Sequence, residues 1–244
     1  MLRRVGAGAL VTIAAGLVLA APANAFWGET TTFKQGAYGV VEIYAEPGET
    51  NDVTAYAVPR GDTTVAQMNP LPTIGGFAYV HDSKATVTPP PDGRGAGCVK
   101  VDDHTLRCLP SEPSLGDIAA NTLIADLGDG DDKLTLTPGS GLRLVANGGD
   151  GNDVIKADDP LEPATLYGDA GNDRLTIRGQ GDGVFYSFAT SGGPGDDVLD
   201  LANGYDNLPS CGDGWDLVYA DSSDTPVDDS CEDIERKPLP VGSP

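Results

Sequence analysis

Gly148-Gly-Asp-Gly-Asn-Asp-Val-Ile-Lys156 is the stretch on which the reading of this chain turns. Four further segments align with it position by position: Leu127-Gly-Asp-Gly-Asp-Asp-Lys-Leu-Thr135, Gly168-Asp-Ala-Gly-Asn-Asp-Arg-Leu-Thr176, Gly192-Gly-Pro-Gly-Asp-Asp-Val-Leu-Asp200 and Cys211-Gly-Asp-Gly-Trp-Asp-Leu-Val-Tyr219. The fourth position is always Gly (Gly130, Gly151, Gly171, Gly195, Gly214) and the sixth always Asp (Asp132, Asp153, Asp173, Asp197, Asp216). The eighth is aliphatic (Leu134, Ile155, Leu175, Leu199, Val218), and the Asp residues recur in steps of 21, 20, 24 and 19. A weaker copy, Gly204-Tyr-Asp206-Asn-Leu208, follows the fourth segment. A Gly-x-Asp-x-aliphatic pattern arises by chance about once or twice in a chain this rich in Gly and Asp. Six copies, five of them near one period, mark an internal repeat.

The repeat predicts its own fold. Gly permits the left-handed backbone of a tight turn. The residues that follow alternate as in a strand. Leu134 and Leu136 share one face, as do Ile155 and Ala157, Leu175 and Ile177, Leu199 and Leu201, and Val218 and Ala220. Thr135, Lys156, Thr176, Asp200 and Tyr219 lie between them and point outward. A second inward set precedes four of the loops: Leu123 and Ala125, Leu144 and Ala146, Ala164 and Leu166, Phe188 and Thr190. One period therefore reads strand, Gly/Asp loop, strand, return loop. This is one coil of an all-β, right-handed parallel β-roll or narrow β-helix, in which each coil buries its apolar face only against its neighbours. With 33 Gly, 19 Pro and no sustained helical period, the chain offers little to a helical alternative.

Coils stacked about 4.8 Å apart align the five Asp carboxylates in a row. Their repulsion is relieved by a hard divalent cation, and calcium takes six to eight oxygen ligands. Each loop offers a carboxylate and the carbonyls of a Gly-rich backbone. One loop alone does not complete such a shell, so each ion is expected between successive loops, with at most four in the row.

These segments resemble the haemolysin-type calcium-binding (RTX) repeat, G-G-x-G-x-D-x-U-x. Gly148–Lys156 and Gly192–Asp200 match at every defined position. Gly168–Thr176 has Asp169 at the second Gly, and Leu127–Thr135 and Cys211–Tyr219 lack the first. The resemblance covers roughly residues 121–221. It implies calcium between coils, with Asp132, Asp153, Asp173, Asp197 and Asp216 as carboxylate ligands. It also implies loop contributions from Gly128, Asp129 and Gly130; Gly149, Asp150 and Gly151; Gly168, Asp169 and Gly171; Gly193 and Gly195; Gly212, Asp213 and Gly214; and Asp206 from the weaker copy. Tandem copies, which place calcium on both edges of such a roll, occur here only at residues 192–209, so one good row is expected. The segment Cys211–Glu232 is similar to the ends of small secreted actinobacterial proteins of this kind. An EF-hand is excluded, because no segment carries its D-x-[DN]-x-[DN]-G spacing.

Residues 1–25 read as a signal peptide. They carry Arg3 and Arg4, an apolar Ala-rich run, and Ala23-Asn24-Ala25 at the cleavage position. The run is at the short end for a membrane span, no Cys follows it, and no later segment is apolar enough to cross. The net charge of −22 becomes −24 once those residues are removed. Such a surface disfavours nucleic acid and anionic membranes and invites cations. Export and an even cysteine count favour disulfides. Of three connectivities, Cys98–Cys108 with Cys211–Cys231 is the local one. The spacings do not suit zinc, with no C-x-x-C and only His81 and His104 beside them.

Residues 26–117 are expected to form an irregular β region, either degenerate coils capping the repeat or a separate small domain. Val40–Tyr44, Val53–Val58, Phe77–Val80 and Thr86–Thr88 read as strands. Pro47–Val53 looks like a decayed Gly/Asp loop that keeps Asp52. Residues 98–108 read as a hairpin or one edge of a coil. The repeat unit is expected over 118–235, with 236–244 a loose tail. No H-E-x-x-H, G-x-S-x-G or phosphate loop is present. His81, His104, Ser140 and Ser191 need no catalytic role, and Trp215 reads as a packing cap. The expected function is that of a secreted, non-enzymatic calcium-binding protein. A cell-wall or other extracellular ligand, or a calcium-dependent carbohydrate-active enzyme, stands as the alternative.

Overall fold

Where the sequence alternates around each Gly/Asp loop, the chain forms two short strands joined by that loop, and successive pairs stack in parallel. The computed structural model describes residues 30–35, 40–58, 77–88, 98–108, 122–138, 140, 142–158, 160, 164–179, 188–224 and 228–238. The expected signal segment lies outside the described residues. Among the described residues seven strands precede the repeat: β1 (Thr30–Gln35), β2 (Val40–Tyr44), β3 (Asp52–Val58), β4 (Phe77–Asp82), β5 (Thr86–Thr88), β6 (Cys98–Asp102) and β7 (Thr105–Cys108). The repeat supplies β8 (Thr122–Asp126) and β9 (Lys133–Leu136), β10 (Arg143–Asp150) and β11 (Val154–Asp158), and β12 (Thr165–Ala170) and β13 (Arg174–Arg178). It continues with β14 (Phe188–Pro194) and β15 (Val198–Asp200), β16 (Asn207–Asp213) and β17 (Leu217–Ala220), and ends in β18 (Asp233–Arg236). No helix occurs among the described residues, and none there is long and apolar enough to cross a membrane.

Two sheets result. One runs β16-β14-β12-β10-β8-β2-β1-β5, the other β18-β17-β15-β13-β11-β9-β3-β4-β7-β6. All pairings from β2 to β16 in the first and from β3 to β18 in the second are parallel, so the fold is an all-β solenoid. Its interior is a ladder of like residues. Leu134, Ile155, Leu175, Leu199 and Val218 pair in one row, each fully buried. Ala125, Ala146, Leu166 and Thr190 form the facing row. Since every coil exposes an apolar edge until the next is laid down, this core is shared and not divisible by coil.

The first half is continuous with the repeat. β2 pairs with β8 and β3 with β9, both in parallel, so residues 40–58 make one further coil. Val53 and Ala55 are fully buried and pair with Leu134 and Leu136. That register puts Asn51, not Asp52, in the sixth position. Asp52 faces outward, 3.2 Å from Lys133 Nζ. Strands β4, β7 and β6 then add antiparallel to β3, while β1 runs antiparallel to β2. This antiparallel extension covers the end of the solenoid, where open parallel edges would otherwise invite pairing with another chain.

Both disulfides take the local connectivity. Cys98–Cys108 joins directly opposed residues of the β6–β7 hairpin, and Cys211–Cys231 ties the last Gly/Asp loop to the segment before β18. Arg236 and Lys237 are better anchored than their place in the expected loose tail indicates. Arg236 closes β18 and donates to the carbonyls of Asp221 and Asp224. The Lys237 backbone N–H donates to Ala220 at 2.7 Å. Its ammonium lies 3.1 Å from Asp200 Oδ1 and 3.5 Å from the Tyr219 ring centroid. With Arg178 on its other carboxylate oxygen, Asp200 is buried although it points outward. The first residues of the segment expected as a loose tail are thus held, residues 239–244 lie outside the described residues, and the ammonium over the Tyr219 face adds a cation–π contact.

Candidate metal centre

The five sixth-position Asp side chains stand in one buried row, each at most 2% exposed. Their first carboxylate oxygens form a chain of hydrogen bonds running along the solenoid. Asp153 Oδ1 accepts from the Asp132 backbone N–H at 2.8 Å, Asp173 Oδ1 from Asp153 at 2.8 Å, Asp197 Oδ1 from Asp173 at 2.7 Å and Asp216 Oδ1 from Asp197 at 2.8 Å. The chain is extended at both ends by residues that are not part of the repeat. Asn51 donates its backbone N–H to Asp132 Oδ1 at 2.6 Å, and Glu232 Oε2 accepts from Asp216 at 3.0 Å.

The second carboxylate oxygens are different. Oδ2 of Asp132, Asp153, Asp173, Asp197 and Asp216 is buried and has no hydrogen-bond partner. Five such atoms in one line are too many to be packing accidents, because buried polar groups are ordinarily satisfied. Burial raises the pKa of all five, against the lowering effect of the backbone hydrogen bonds, and neighbouring acids raise it further. Asp132 is pushed up to about 6, and Asp153 and Asp197 to about 7. Asp173 and Asp216 shift the same way for the same leading cause. A buried row of carboxylates at these values is a row short of positive charge.

The first-position glycines mark which oxygens stand nearest the unpartnered Oδ2 atoms. A Cβ built on Gly148 would lie 2.2 Å from Asp153 Oδ2 and 2.6 Å from the Gly168 carbonyl oxygen. On Gly168 it would meet Asp173 Oδ2 at 2.3 Å and the Gly192 carbonyl at 2.6 Å. On Gly192 it would meet Asp197 Oδ2 at 2.2 Å and the Cys211 carbonyl at 2.6 Å. No side chain fits at such separations, so only glycine lets the carboxylate oxygen and the carbonyl oxygen pack this close to the backbone and to each other. Beside each of these glycines, then, a carboxylate of one coil and a carbonyl of the next converge on the same space. Among the described residues no three His, Cys, Asp or Glu side chains gather as a metal cluster. What converges instead is one carboxylate oxygen with one backbone carbonyl at each glycine, so an ion held there would draw its remaining ligands from further carbonyls or water.

The fourth-position glycines have a separate reason. Gly130, Gly151, Gly171, Gly195 and Gly214 all have positive φ, between 124° and 146°. A Cβ on Gly151 would fall 1.8 Å from the Gly130 carbonyl oxygen of the coil before. At the second position Asp169 replaces Gly at φ 67°, the left-handed region that Asp tolerates better than most residues. Third-position carbonyls of Asp150, Ala170, Pro194 and Asp213 accept the fourth-position N–H of the preceding loop. The side chains of Asp129, Asp150, Asp169 and Asp213 are exposed, away from the buried row.

A second row went unread in the sequence. Asp131, Asn152, Asn172 and Asp196 hold the fifth position, and each side-chain oxygen accepts the fifth-position N–H of the next coil at 2.8–2.9 Å, the last from Trp215. It runs opposite in sense to the buried row. The signal was the recurrence of Asp or Asn in four of five copies. Trp215 itself is 65% exposed and packs as no cap. The weaker copy also shifts by one residue. Asn207, fully buried, takes the place in register and donates to Asp224 Oδ1 at 2.9 Å, leaving Asp206 exposed and outside the row. Asp224 Oδ2 in turn accepts from Asp221, so this opposite edge satisfies its own oxygens. No family model, no curated protein and no solved structure matches the chain.

Proposed function

We propose that the chain is a secreted, non-enzymatic calcium-binding repeat protein of the haemolysin-type class, in which ions between coils hold the Gly/Asp loops together. The observation that carries this reading is the line of buried Asp Oδ2 atoms without partners, three of them converging with a carbonyl of the next coil. A hard divalent cation suits an all-oxygen, acidic, backbone-rich site. Bound there, it supplies the positive charge that the row lacks, and Asp153, Asp173 and Asp197 with the carbonyls of Gly168, Gly192 and Cys211 would hold it.

Binding and folding are coupled in this scheme. Without the cation the carboxylates repel, and the acidic repeat expands. With it, the free energy of binding adds to that of folding. Affinity in the range of other extracellular modules, on the order of 10⁻⁴–10⁻³ M, is sufficient outside a cell. The two disulfides fit such a location. The test is thermal melting in calcium. Asp173→Ala, at the middle of the row, should lower stability by about 2–4 kcal/mol, in the range for breaking a buried polar network. Asp216→Ala should affect the end alone. Melting of both variants at the parent's temperature would refute the shared-ion scheme.

A further inference from the structure

The three converging sites share one feature that the two end loops lack. Gly148, Gly168 and Gly192 stand at the first position, whereas Leu127 and Cys211 occupy it in the first and last loops. In the interior loops Asp Oδ2 and the neighbouring carbonyl approach the first-position Cα so closely that a Cβ there would push both oxygens apart. Leu127 and Cys211 have that Cβ. Both are fully buried, Leu127 in the apolar core and Cys211 in its disulfide with Cys231. Both ends of the row also meet residues from outside the repeat. Asp132 Oδ1 faces two donors of Asn51, the backbone N–H at 2.6 Å and the side-chain amide at 3.4 Å, and Glu232 meets the Asp216 N–H.

We propose that the row takes its ions only beside Gly148, Gly168 and Gly192, and that the side chains of Leu127 and Cys211 stopper the two end loops. The proposal rests on the calcium reading above and adds what the sixth-position Asp alone does not specify: which loops are open. Five Asp residues and their intervals would allow up to four ions; the first-position residues reduce this to the three glycine-headed loops. The stoppers give each end of the row an apolar or covalent closure.

The test is a count of calcium ions per folded chain by equilibrium dialysis, with far-UV circular dichroism on the same samples. The parent should saturate with one ion for each of the three glycine-headed loops. Gly168→Ala should lose one ion. Leu127→Gly should gain one, because Asp132 Oδ2 then faces open space. Leu127→Ala controls for lost core packing, since it removes nearly the same apolar bulk but keeps the Cβ, and it should gain none. A parent that binds four or more ions in the row, or a Leu127→Gly variant that remains folded and gains none, would overturn the proposal. A parent that binds no calcium at all would refute the calcium reading first, and this proposal with it.

Discussion

At the residue scale, the loops are built by what glycine lacks. The fourth-position glycines combine a left-handed backbone with a carbonyl of the previous coil pressed against Cα, so both strain and collision oppose any side chain there. Gly151→Ala should therefore destabilise the protein by at least about 2–3 kcal/mol, above the usual cost of a strained backbone position because the contact is with main chain. Urea unfolding in saturating calcium measures it. A loss below about 0.5 kcal/mol would contradict the tight stacking, being the size of an ordinary surface change. Asp169 marks the tolerated exception: its φ of 67° is smaller than that of the corresponding Gly149, Gly193 and Gly212, which lie between 103° and 120°.

At the scale of elements, strand alternation was legible and local loop frame was not. The inward sets around Leu134, Ile155, Leu175, Leu199 and Val218 read directly from the sequence, because a period of two leaves no freedom once one residue is inward. The same rule explains both frame shifts. Val53 and Ala55 are inward, which forces Asp52 outward and leaves Asn51 in the row. Asn207 and Pro209 are inward, which excludes Asp206. In each case the choice of Asp over its Asn neighbour followed residue type, where parity decides. The antiparallel cap of β4, β6 and β7 left no periodic trace, since its pairings join segments without the repeat. The Cys211–Cys231 bridge closes a separation of 20 residues at the open end. Reducing it should cost about 3 kcal/mol by the loop-entropy relation. The loss should appear first as exchange of the amides of β17 and β18, which hydrogen-exchange measurements resolve. Uniform loss across all coils would mean the bridge does not act on the end alone.

At the scale of the whole molecule, the buried acids set how stability responds to pH. The row's carboxyls have pKa values raised in the folded state, Asp153 and Asp197 to about 7. Between roughly pH 4, where an unfolded Asp titrates, and pH 7 the folded chain thus binds more protons than the unfolded one. Stability in chelator must fall as pH rises through that window. Calcium favours the ionised form, so in its presence the fall should shrink or reverse. Melting temperatures at pH 5 and pH 7.5, with and without calcium, give the sign directly. A metal-free protein more stable at pH 7.5 than at pH 5 would contradict the buried row.

The most direct test of the central claim is a calcium titration of residues 26–244, followed by far-UV circular dichroism at pH 7.5 with magnesium as the control. The account predicts a cooperative gain of β signal with calcium, little with magnesium, and its reversal by chelator. A β signal already complete in chelator and unmoved by calcium would show that the coils stand without an ion, and would contradict the assignment of the Asp row as a calcium site.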